Sequence, residues 1–132
     1  MEFEILNKDL IINTIPLEKI VIEDNCIAIY FDDNNGVRFV FESFSYQEIK
    51  VTTRDYMNAS DYINELNFYD GRYHNYILEI LNSSWINELK QINEGKQVEF
   101  LNESHHYFLL LGDNVVEIIA YDNFNLKQLD NS

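Results

Sequence analysis

Apolar and polar residues alternate along the first half of the chain. "EFEIL" (Glu2–Leu6) and "EKIVIE" (Glu18–Glu23) follow the period of two that marks half-buried strands. "CIAIYF" and "VRFVFES" form two more such runs, separated by "DDNNG" (Asp32–Gly36), a turn-rich segment of hairpin length. Ile27, Ile29 and Phe31, then Val37, Phe39 and Phe41, mark one buried face of that hairpin. "QEIKVTTR" is expected to continue the meander as a fifth strand, because Ile49, Val51 and Thr53 are branched and suit a pleated surface.

The period then changes. "NASDYINEL" (Asn58–Leu66) reads as a short helix, with Ser60 as N-cap and Asp61 in the first turn. "YHNYILEILNSSWINELKQINEG" reads as a longer one. Its Ile77, Leu81, Trp85 and Leu89 lie four apart, Ile92 extends the stripe toward the core, and Gly95 is a natural stop. The hydroxyls of Ser83 and Ser84 can cap a new helix, so a continuous and a broken helix are both open. After Gly95 the pattern returns to strands: "QVEFL", then "HHYFLLLGDNVVEIIAYD" (His105–Asp122), then "FNLKQL". A two-residue turn at Asp113–Asn114 sets Leu111 opposite Val116, Leu110 opposite Glu117, Phe108 opposite Ile119 and His106 opposite Tyr121. "YFLLL" and "VVEIIA" are apolar on both faces, which marks a central hairpin with a helix over one face. The expected fold class is α+β: a mostly antiparallel β-sheet (meander plus C-terminal hairpin) packed against one long or broken α-helix and one short helix, in a single domain over residues 1–132.

Composition agrees with a folded chain. It is 46% hydrophobic and 14% aromatic, and with one proline and four glycines it has no linker or repeat. Cys26 is the single cysteine and lies in an apolar run with no cationic neighbour, so a structural thiol in a reducing compartment is expected. The acidic N-terminus lacks the pattern of a signal peptide, and no apolar run approaches the ~20 residues that span a bilayer. A cytoplasmic location is the expectation.

Charge changes the picture most. Twenty-three acids oppose nine bases, for a net charge of −14, and the pI is near 4.3. Nucleic acid and anionic membrane are disfavoured as partners, being polyanions themselves. The scarcity of lysine in a chain rich in Asn and Ile shows that the acidity does not follow simply from A/T-rich codons. It either serves solubility or steers a basic partner.

The candidate chemistry is sparse. Asp33, Asn35, Gly36 and Glu42 fall at the third, fifth, sixth and twelfth positions of a calcium-loop pattern, but Phe31 holds the first position and the flanks alternate like strands. His105 and His106 are strand neighbours and point to opposite faces, and His74 lies in the helical half, so neither a metal nor another cofactor is expected. There is no glycine-rich phosphate loop, no Gly-x-Ser-x-Gly elbow and no Cys-x-x-Cys pair, and no catalytic residue is assigned. The segment "RDYMNASDYINELNFYDGRYHNY" is the candidate binding face. Asp55, Asp61, Glu65 and Asp70 interleave there with Tyr56, Tyr62, Tyr69, Tyr73 and Tyr76, combining steering charge with large, low-entropy contact area.

Two stretches carry a resemblance. "SSWINEL" (Ser83–Leu89) followed by "HHYFLLLGDNVVEIIAYDNFNL" (His105–Leu126) resembles small bacterial immunity-like proteins of the polymorphic-toxin type. In these a Trp-bearing helix precedes a His-Tyr strand, a short turn and a Val-Glu-Ile-Ile-type strand. The resemblance covers the C-terminal third and implies a non-enzymatic protein, monomer or homodimer, that binds and neutralises a cognate toxin. The acidity adds that this toxin is basic. The competing expectation is a small ligand-binding or oligomerising module, which a deep pocket with convergent polar groups would favour.

Overall fold

Two tight turns shape the first sheet of the computed structural model, which describes residues 2–13, 15, 18–53, 75–93, 98–121 and 123–129. Strands β2 (Lys19–Glu23) and β3 (Cys26–Asp32) are joined by Asp24 and Asn25, both at positive φ, the residue types that tolerate such a turn best after glycine. Between β3 and β4 (Arg38–Ser43) the turn belongs to Asp33. Its carboxylate accepts from the amides of Asn35 at 2.9 Å and Val37 at 2.8 Å, and Gly36 supplies a φ of +79°. The calcium-like spacing is thus a hairpin, and its leading carboxylate is engaged by the turn's own amides.

Strand β9 (Asn125–Gln128) pairs with the far edge of β4, which completes a four-stranded antiparallel sheet in the order β2-β3-β4-β9. That placement decides where the next strand goes. With β4 flanked on both sides, β5 (Tyr46–Thr53) does not continue the meander; it crosses to a second sheet and pairs with β8 (Asn114–Ala120), with a register shift between Tyr46 and Glu48. The second sheet has five antiparallel strands in the order β1-β6-β7-β8-β5, where β1 is Glu2–Ile5, β6 is Ile77–Leu81 and β7 is His105–Leu110.

The expected long helix is corrected here. Its first part is strand β6, and helix α1 covers only Ser84–Ile92. A four-residue spacing fits one side of a helix, but four is also a multiple of two and fits one side of a strand. Ile77, Leu78 and Ile80 are all buried, which needs apolar cover on both faces and places β6 inside a sheet. Asn82 then takes a φ of +52°, and Ser83 caps α1 by accepting from the Ile86 amide at 3.2 Å. The core stripe breaks accordingly: Leu81 and Ile92 are exposed, and Trp85 and Leu89 are half-buried.

Val98–Leu101 of the expected strand "QVEFL" is likewise helical, in α2 (Val98–Asn102). Leu101 packs with Ile86 and Ile119, and its neighbour Phe100 stacks on Tyr121 at 4.5 Å. Adjacent apolar residues with different targets suit a helical turn as well as a strand. The short helix expected at Asn58–Leu66 lies outside the described residues.

The described residues therefore form two antiparallel sheets of nine strands with two short helices, an α+β fold. The sheets face each other across one core. Ile27, Ile29, Phe31 and Phe41 come from the first sheet; Ile77, Tyr107, Leu109, Val116 and Ile118 come from the second. Phe41 meets Tyr107 edge-on at 5.7 Å and Phe124 face-on at 4.9 Å. The opposite face of the five-stranded sheet carries Ile5, Leu78, Ile80, Phe108, Leu110 and Val115 in a second cluster. Helices α1 and α2 close part of that face over Ile119. The central position of the β7–β8 hairpin, with helix over one face, agrees with its double apolar pattern.

Candidate functional site

The hairpin register builds the site. Its turn centres on Gly112 and Asp113, with the Leu111 amide donating to Asn114 O at 3.0 Å. The Glu18 carboxylate, from outside the hairpin, holds that turn by accepting from the Asp113 amide at 2.9 Å and from Asn114 Nδ2 at 3.2 Å. The pairing therefore differs by two residues from an Asp113–Asn114 turn: Phe108 faces Glu117, and His106 faces Ile119. A shift of two preserves every side chain's face but changes its neighbours. Glu117 becomes the diagonal neighbour of His106, where the alternative register would have kept them apart.

A polar row follows from that pairing. His106 Nε2 lies 2.9 Å from Glu117 Oε1, and His106 Nδ1 lies 2.8 Å from Ser83 Oγ. Both residues of the strand pair are 6% exposed, so their partners matter. An ionised Glu117 only accepts, so Nε2 of the ring carries a proton, and Ser83 Oγ, which accepts from Ile86, is hydrogen-bonded to Nδ1. Lys50 Nζ stands 3.9 Å from Glu117 Oε2. The row joins the middle of the sheet to the first turn of α1.

Serine, histidine and carboxylate in a row also describe acyl-transfer enzymes. Two features point elsewhere. Ser83 is buried and its oxygen serves as the helix cap; the residue bordering open space is Ser84. The ring nitrogens are also reversed relative to that arrangement, with serine on Nδ1 and carboxylate on Nε2. The row is a clamp between α1 and the sheet.

No family model matches the chain, and no curated protein or solved structure matches it. The likeness to immunity-like proteins thus rests on the two quoted stretches alone.

Above the clamp lies a cavity of about 820 Å³ that is open to one side. His106 and Glu117 border it from the sheet, Glu48 and Lys50 from β5, Trp85 and Glu88 from α1, and Glu2 from the far edge. Trp85 donates from Nε1 to Glu48 Oε2 at 3.1 Å and meets the His106 ring edge-on at 5.3 Å. Lys50 Nζ sits 5.9 Å from the centre of the Trp85 ring. Carboxylates outnumber ammonium groups on this lining, so the cavity favours cations. Among the described residues no helix is long and apolar enough to cross a membrane, and no group of three or more His, Cys, Asp or Glu side chains converges as a metal site would require.

The residues expected to bind a partner, Asp55, Tyr56, Asp61, Tyr62, Glu65, Tyr69, Asp70 and Tyr73, all lie outside the described residues, and Tyr76 of the same segment is buried with Leu78 and Phe108 instead of surface-exposed. His105 and His106 do diverge, as strand alternation requires: His105 Nδ1 pairs with Glu79 Oε2 at 2.9 Å on the other face. The clamp could have been suspected from Glu117, the one charge in "NVVEIIA". Nothing in the sequence pattern would have joined it to Ser83 or placed Glu48, Lys50 and Trp85 around a common opening.

Proposed function

We propose that this chain is a non-enzymatic binding protein of the immunity type, acting in the cytoplasm to neutralise a basic protein toxin by direct contact. The observation that carries the reading is the acidic, tryptophan-bearing cavity beside α1, on a chain whose net charge is −14. Such a surface attracts a cationic partner over a Debye length of ~8 Å at physiological salt and accelerates encounter. The resemblance of Ser83–Leu89 and His105–Leu126 to immunity-like proteins supports the same reading. The size of the cavity also favours a second one, a small module that binds a free ligand, in which the remaining acidity serves solubility.

The test is co-expression with each basic, growth-arresting protein of the same cell as a candidate toxin. The expected result is restored growth and a complex that co-purifies at low salt and associates more slowly at high salt. Growth arrest despite a soluble, folded chain overturns the reading. Charge reversal then locates the contact: Asp61→Lys with Glu65→Lys probes the acid–tyrosine segment, and Glu48→Lys with Glu88→Lys probes the cavity.

A further inference from the structure

We infer that the cavity beside α1 is a socket for an arginine side chain of the protein partner, and that Lys50 occupies part of it until the partner arrives. The inference rests on the toxin-binding reading and specifies the chemistry of its contact.

The chain's own lysine shows that the cavity holds a cation. Lys50 Nζ is placed between the Trp85 ring, 5.9 Å from its centre, and the buried Glu117 carboxylate, at 3.9 Å. Both contacts are long, and the Lys50 side chain is 61% exposed, so solvent screens the pair and displacement is easy. Glu117 is not released by that displacement, because His106 holds its other oxygen at 2.9 Å.

The empty part of the cavity suits a guanidinium better than an ammonium. A guanidinium is flat, is weakly hydrated and stacks on an indole, and its five N–H groups need acceptors in one plane. Trp85 provides the indole and is fixed at its edge by the hydrogen bond to Glu48. Glu48 and Glu88 bring two exposed carboxylates to the lining, one from β5 and one from α1. An ammonium, as a compact point charge, uses the carboxylates but gains less from the ring. A free dication would meet no convergent ligand set among the described residues.

The chain's single tryptophan makes the test direct, since its fluorescence reports on this cavity alone. The probes are three capped tripeptides, acetyl-Gly-X-Gly-amide, with X as arginine, lysine or the neutral isostere citrulline. The full chain is titrated with each at low salt. Expected is a saturable change with the arginine peptide, weaker binding of the lysine peptide and no response to citrulline. Glu48→Gln with Glu88→Gln, both exposed positions, should weaken the arginine peptide by about tenfold, the size of one charge-assisted hydrogen bond. Lys50→Met should tighten it. Equal responses to arginine and citrulline, or an unchanged affinity in the Glu48/Glu88 variant, overturn the socket. A chain that neutralises its toxin but ignores the arginine peptide also overturns the socket and leaves the toxin-binding reading intact. A chain that takes the peptide through Glu48 and Glu88 yet neutralises no toxin keeps the cation site and removes that reading.

Discussion

Tyr107 and His106 are neighbours on β7 and face opposite ways. Tyr107, with Leu109 beyond it, enters the core between the two sheets, where Phe41 and Phe124 meet its ring edge-on at 5.7 and 5.3 Å. His106 faces α1, shares its side with Glu117, and borders an open cavity. One face is closed by a second sheet whose side chains there are mostly apolar, with Ser43 a buried polar exception opposite Ile27. The other is partly covered by helix α1, whose capped first turn supplies a hydroxyl at the point where the sheet presents an imidazole. A sheet covered by a sheet has no free polar groups to spare on its inner side, because the backbone is committed to the ladders. A helix terminus does have them, and so the polar chemistry of this chain collects beneath one.

The comparison predicts a descending series of costs. Phe41→Ala empties the closed face and should destabilise by ~3–5 kcal/mol in urea melts, since Phe41 is fully buried between Tyr107 and Phe124. A smaller loss would mean that the two sheets slide together to fill the space. His106→Ala leaves Glu117 buried with only the distant Lys50 as partner, and about 2–3 kcal/mol should be lost. Equal stability of this variant and the parent would show that water serves Glu117 as well as the ring does.

Ser83→Ala removes both the cap of α1 and a partner of His106, for a loss of about 1–2 kcal/mol. Hydrogen exchange should show the first turn of α1 opening before β7 does; simultaneous opening would contradict a clamp that acts at the helix terminus. His105→Ala is the control on the other face. Its bond to Glu79 is partly exposed, so the cost should stay below ~1 kcal/mol, and a cost matching that of His106→Ala would erase the distinction between the two faces. The smallest effect is chemical. Burial first, and the Glu42 carboxylate second, push the Cys26 thiol up from its ordinary value. Less thiolate is then present at neutral pH, and iodoacetamide should label Cys26 more slowly than it labels a free cysteine peptide, with no change in fold.

Most strands were legible because alternation reports burial directly. The β3–β4 hairpin was readable in its length, its turn and its inward face, since Asp33 and Gly36 supply everything the turn needs locally. The Ile77–Leu89 stripe misled because a spacing of four serves both periods, and only the burial of Ile77 on one face and of Leu78 and Ile80 on the other decides for a strand. The candidate site was less legible still. His106, Glu117 and Trp85 each stood out in the sequence, but their association depends on the β7–β8 register, whose turn Glu18 contacts from ninety-five residues before the amide it holds.

The sequence by itself determined the local order: where strands alternate, where Asp24–Asn25 and Asp33–Gly36 turn, where Ser83 can start a helix, and a net charge of −14. Each of these is a short-range preference or a sum over residues, and each survives whatever the rest of the chain does. Only the tertiary structure decided which edge β5 joins, which residue faces Glu117, and that Lys50, Trp85, Glu48 and Glu88 share one cavity. Those outcomes depend on strand partners far apart in the chain, and hydrophobic burial, being non-directional, rewards several pairings alike until packing between the sheets admits one.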